Sequence, residues 1–89
     1  MKIIEETDKS IRYLLDFSKA KVQLFEFKKG YKSPKHKHEG NALHIITKGK
    51  IQLDSGEIIT ASADYKCGGW EYRLETLEDT QIILIEENI

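Results

Sequence analysis

The sequence predicts a single all-β domain, and three observations carry that expectation. Apolar residues recur with a period close to two along most of the chain. Turn residues interrupt them at short intervals: Lys29-Gly30, Lys48-Gly49, Asp54-Ser55-Gly56, Gly68-Gly69 and Glu78-Asp79. The chain has 89 residues, room for one domain spanning 1–89. Seven or more short strands at such spacing pack as a sandwich or barrel.

The strands expected in order are 11–16, 20–28, 42–48, 50–54, 57–60, 70–77 and 80–86. The first has a helical alternative, because Ile11, Leu14, Leu15 and Ser18 also fit a helical spacing. In 70–77 the alternation is plain. Trp70, Tyr72, Leu74 and Thr76 fall on one face, and Glu71, Arg73 and Glu75 on the other. Ile82-Ile83-Leu84-Ile85 is apolar on both faces, so the core covers one side and a second sheet or subunit the other. A chain this small also gains by burying surface against a copy of itself, so a homodimer is expected.

Composition narrows the partners. Formal net charge is −1, with 33% charged and 39% apolar residues, which gives no global reason to expect nucleic acid or an acidic membrane. Charge is uneven, however. Lys28, Lys29, Lys32, Lys35 and Lys37 lie in one stretch without an acid. This is either a solvated basic loop or a means of steering an anionic small molecule to the adjacent histidines. Tyr31 is the only aromatic among these lysines, too few for base stacking. No apolar run is long enough to cross a bilayer as a helix. The lone Cys67 allows no internal disulfide and reads as a small buried hydrophobe. The start, Met1 to Glu6, lacks the apolar stretch of a secretory signal, so a cytoplasmic location is expected.

All three histidines lie within nine positions, at His36, His38 and His44. His36 and His38 are two apart, so on a strand both rings project from one face. Two neutral imidazoles held this way make half a metal site. His44 lies two residues beyond Ala42 and shares its face, where it acts as a further ligand or as a core histidine bonded to backbone or Tyr72. Trp70 and Tyr72 can wall the same pocket, or merely fill it.

The spacing adds to this. Gly30 is followed by five residues, His36-Lys37-His38, three residues, Ala42, six residues and Gly49. That resembles the first motif of the cupin superfamily, a pattern of Gly, His-x-His, Glu and Gly, with Ala42 where the family has its glutamate ligand. Gly68-Gly69 leading to Tyr72 is similar to the second motif, with Tyr72 at the position of a histidine ligand and Thr76 at that of an asparagine. Ala63-Asp64 looks like the Gly-Asp pair that precedes it. The resemblance implies a double-stranded β-helix, a jelly-roll barrel with its site at the mouth. It further implies a metal at His36 and His38; His44, by its place on the strand, and Tyr72, at the second-motif position, are the candidates to complete the ligand set, with Ala42, Trp70 and Tyr72 around a ligand pocket. Nitrogen-rich ligands favour zinc, nickel, iron or copper. The implied function is a metal-dependent enzyme acting on a small organic acid or sugar. The alternative is a non-catalytic binding or sensory module without metal.

Overall fold

A computed structural model of the chain describes residues 2–16, 20–37, 40–66 and 71–87, with the backbone alone described at 16, 36, 61–66 and 87. It contains nine strands and no helix among these residues: β1 (Lys2–Glu6), β2 (Ser10–Asp16), β3 (Ala20–Phe27), β4 (His36–Lys37), β5 (Ala42–Leu53), β6 (Ile58–Lys66), β7 (Glu71–Tyr72), β8 (Leu74–Thr76) and β9 (Thr80–Glu87). The helical alternative at Ile11 is not adopted; the pairing of β2 with both β1 and β3 settles it as a strand.

The main sheet runs β1-β2-β3-β9-β5-β6, antiparallel throughout, with β8 also paired to β5. β4 and β7 form a separate two-stranded ladder. The fold is a jelly roll, and its main sheet is open rather than closed, with β1 and β6 at the ends of the strand order.

Several boundaries differ from the sequence reading: β4 is an added strand, and β6 runs to Lys66 where a strand over 57–60 was expected. β1 was not expected, because every one of its residues is exposed and it has no buried face to betray it. The strand expected over 70–77 is split at Arg73, whose carbonyl accepts from Asp54 N at 3.0 Å instead of continuing the ladder. The expected turn at Lys48-Gly49 is a bulge, and β5 passes through it as one strand of 12 residues. Gly49 has φ of +101°, a value that favours glycine. The irregularity changes which positions face inward, from Ala42, His44 and Ile46 to Ile51 and Leu53. Since alternation has period two, only such an insertion lets both halves of β5 bury apolar side chains.

The core joins both layers: Phe27, Ile46, Ile82 and, from β8, Leu74 of the main sheet meet Tyr72 of β7. Tyr72, Leu74 and Thr76 are buried while Glu71 and Arg73 are exposed, the alternation expected of this stretch. Ile82 and Leu84 face the core, and Ile83 and Ile85 lie half-buried on the outer face.

Candidate functional site

β5 positions His44. Its backbone is bonded to β6 on one side and β9 on the other, so the ring stands on a strand with no free edge. Ala42, His44 and Ile46 alternate inward as the spacing predicts, and Ala42 is 1% exposed. Tyr72 comes from the other layer, on β7, where its backbone lies directly opposite His36 of β4.

His44 Nε2 and the Tyr72 hydroxyl share a hydrogen bond of 2.8 Å, and the rings meet edge to face at 85°. Both are buried, with 8% and 3% exposure. The bond therefore spans the two layers. Tyr72 faces His44 across the fold and its backbone pairs with His36 within one ladder, whereas the expectation set Tyr72 opposite His36 and His38, with His44 below or beside them.

Beside this pair lies a cavity of about 380 Å³, open to solvent at one side. Gln23, Phe25, Tyr31, His44, Tyr72 and Leu84 line it. Ala42, expected in the pocket, is not part of this wall: its methyl is buried one pleat repeat from His44. Trp70, Cys67 and His38 lie outside the described residues, and so does the ring of His36.

Among the described residues no three His, Cys, Asp or Glu side chains converge on a point that could hold a metal. Alanine stands at the family's carboxylate position, and the phenol at the second-motif position is already bonded to His44. Of the four candidate ligands, only the side chains of His44 and Tyr72 are described, and these are bonded to each other.

The segment carrying the lysines is fixed against β8. Tyr31 N donates to Thr76 Oγ1 at 2.9 Å, Thr76 Oγ1 donates to the Lys28 carbonyl at 2.7 Å, and Leu74 N donates to Ser33 Oγ at 2.8 Å. Thr76 is therefore a clamp for this segment. Lys28, Lys29, Lys32, Lys35 and Lys37 are all exposed, and Lys35 pairs with Glu71 at 3.7 Å. Tyr31 stacks on Phe27 with centroids 4.4 Å apart. Burial, then the nearby Glu5 carboxylate, push its phenol above the ordinary 10.0, against the opposing pull of Arg12. The neutral phenol is thus favoured by folding. Its stabilising contribution holds below about pH 10 and fades as pH rises through the higher folded value. Absorbance titration of the parent minus Tyr31→Phe should give a midpoint above 10.0 for this residue; a midpoint at or below it would refute the assignment.

The sequence reading missed several lining residues, among them the polar Arg12 on β2 and Gln23 on β3. A signal for Gln23 was present, since it shares a face with Phe25 and Phe27.

The fold has many known counterparts. An RmlC-like cupin from Shewanella frigidimarina NCIMB 400 superposes with a TM-score of 0.83 at 15% identity, covering 99% of this chain and 84% of that one. KdgF from Halomonas sp. gives 0.80 at 15% identity, over 100% and 88%. A chain in the complex of Rhodobacter sphaeroides SigE with the anti-sigma ChrR gives 0.78 at 16% identity, over 88% of this chain and 45% of that one. The present chain thus spans less than half of that last protein. No family sequence model matches, and no curated protein sequence does. These likenesses define a small domain with the cupin jelly-roll fold, the one its glycine and histidine spacing resembles.

Proposed function

We propose that this domain binds a small organic molecule in the cavity between its two layers, with the His44–Tyr72 pair as the polar contact at one end. The pair carries the reading. Two polar side chains are buried and bonded to each other beside open space floored by Phe25, Ile82 and Leu84. An imidazole and a phenol together offer a ligand oxygen both a donor and an acceptor. The volume of about 380 Å³ falls at the lower end of the range for small-ligand pockets.

The test is titration of isotope-labelled protein with small organic fragments, read by amide chemical shifts. Shifts should concentrate at Gln23, His44, Tyr72 and Leu84, and Tyr72→Phe should weaken binding by about tenfold. Shifts confined to the surface turns would end this reading.

The metal-dependent reading draws support from one observation, the backbone register that sets His36 opposite Tyr72. The backbone of His36 thereby neighbours the strand that carries Tyr72, the hydrogen-bond partner of His44. Zinc uptake by the parent and by His36→Ala with His38→Ala decides it: loss in the double variant supports a metal centre, and equal uptake removes it.

A second copy of the chain is the partner we infer for the outer face of the main sheet. Two cross-strand rows lie there, Tyr13–Leu24–Ile83–Ile45 and Leu15–Val22–Ile85–Leu43. All eight residues are half-buried, and no described strand covers them. Contiguous apolar rows across four strands, about 15 Å wide at the ordinary strand spacing, suit the apolar centre of a self-complementary interface. Light scattering should give a mass near twice 10.3 kDa.

A further inference from the structure

The cavity has a second polar end, built from Arg12 and Gln23, that the His44–Tyr72 pair does not explain. Gln23 is 3% exposed and lines the cavity, yet its side-chain amide makes no hydrogen bond with any described residue. The amide is not sealed off: it faces the solvent-open cavity, where water or a ligand can satisfy it. Arg12 repeats the pattern, because its Nε is buried without a hydrogen-bond partner. Its guanidinium stands 3.6 Å from a Glu5 carboxylate oxygen, longer than a charge-assisted hydrogen bond. Both side chains of that pair are partly exposed, so the attraction is screened and weak.

Register brings the two residues together. Arg12 lies opposite Phe25, and Gln23 opposite Leu14, so Arg12 and Gln23 are diagonal neighbours on adjacent antiparallel strands. Diagonal neighbours have Cβ atoms about 7–8 Å apart, within reach of two long side chains converging on one small group. Gln23 also shares a cross-strand row with Leu84 and His44. Two strand spacings, about 9.5 Å, separate the backbones at its ends, with Leu84 forming the floor between them. Phe25 and Ile82 extend that floor in the next row, and the Arg12 guanidinium carbon stands 5.9 Å from the Phe25 ring centre.

We infer that Arg12 and Gln23 form a carboxylate seat, and that the ligand of this cavity is a small organic acid with a short apolar body. The carboxylate accepts from the Arg12 guanidinium, whose Nε has no hydrogen-bond partner, and from the Gln23 amide, which faces the cavity. The apolar body lies over Phe25, Ile82 and Leu84, with its far end toward His44 and Tyr72. This inference rests on the reading of the cavity as a ligand pocket, and it names the ligand's class.

Benzoate and benzamide are the probes, equal in shape and differing in charge. In amide-shift titrations benzoate should bind about tenfold more tightly than benzamide. Arg12→Gln should remove that preference by weakening benzoate more than benzamide. Gln23→Leu supplies a readout that a purely structural glutamine would not give. It should weaken benzoate binding severalfold while leaving the melting temperature of the ligand-free protein close to the parent's, since the amide has no partner among the described residues to lose. Equal affinity of the two probes, or a preference that survives Arg12→Gln, overturns the seat and leaves the pocket standing. A fall in melting temperature for Gln23→Leu makes Gln23 structural and likewise overturns it. Shifts from neither probe at Gln23, Leu84 or His44 overturn both readings.

Discussion

Gly49→Ala is expected to lower the melting temperature by about 15 °C, from a loss of about 3 kcal/mol. Two effects combine there. Gly49 has φ of +101°, which a side chain adopts only under strain. A Cβ at this position would also lie 2.6 Å from the Asp79 carbonyl oxygen and 2.7 Å from Thr80 Cα. Both are backbone atoms, so no rotamer change relieves the contact. The main sheet would have to part where β5 enters its bulge. Gly56 provides the control, with φ of +93° and nothing within 4 Å of an added Cβ. Gly56→Ala should cost only the strain, about 1 kcal/mol, or ~5 °C. Thermal melts that place the two variants within a few degrees of each other would show that close approach at Gly49 does not matter.

Ile46→Ala should be of similar size, about 3 kcal/mol, and its neighbour supplies the comparison. Ile46 is 2% exposed and lies in the core cluster that joins the two layers. Truncating it leaves a cavity among side chains held by strands on both sides. Ile45 is adjacent in sequence but lies half-buried on the outer face, in the row with Tyr13, Leu24 and Ile83. Ile45→Asp should leave the core intact and convert the proposed dimer to a monomer in light scattering, because it sets a charge at the centre of the apolar rows. Ile46→Ala should do the reverse, lowering the denaturant midpoint while the mass stays dimeric at the same concentration. If Ile45→Asp remains dimeric, the outer face is not the interface. If Ile46→Ala melts like the parent, this part of the core is more pliable than its burial implies.

How far these features were legible follows from period and spacing. Buried strands announced themselves: the alternation at Tyr72, Leu74 and Thr76 and the doubly apolar run at Ile82 to Ile85 fixed two strands and their facings. The inward direction of His44 was readable from its distance to Ala42. β1 was not, because an edge strand with no buried face carries no period. Nor was the passage of β5 through Gly49, since Lys48-Gly49 has the same composition in a turn and in a bulge. The carboxylate seat was hidden for a different reason. Arg12 and Gln23 are eleven residues apart, and only the register of β2 on β3 makes them neighbours. Polar residues on a strand read as solvent-facing unless the face they share is already known to be inward.

The open sheet carries a hazard that β1 answers. An exposed strand edge is a template on which identical molecules can add one after another into a fibre. β1 ends the sheet with Lys2, Glu5 and Glu6 among its five exposed residues, and its pairing with β2 slips between Ile3 and Glu5. A charged, kinked edge is a poor surface for a further strand, because the incoming backbone cannot keep its hydrogen-bond spacing past the kink. Growth along the strand order is thereby disfavoured at this end. Association through the outer face is different in kind, since two copies meeting by a twofold axis complete each other and stop.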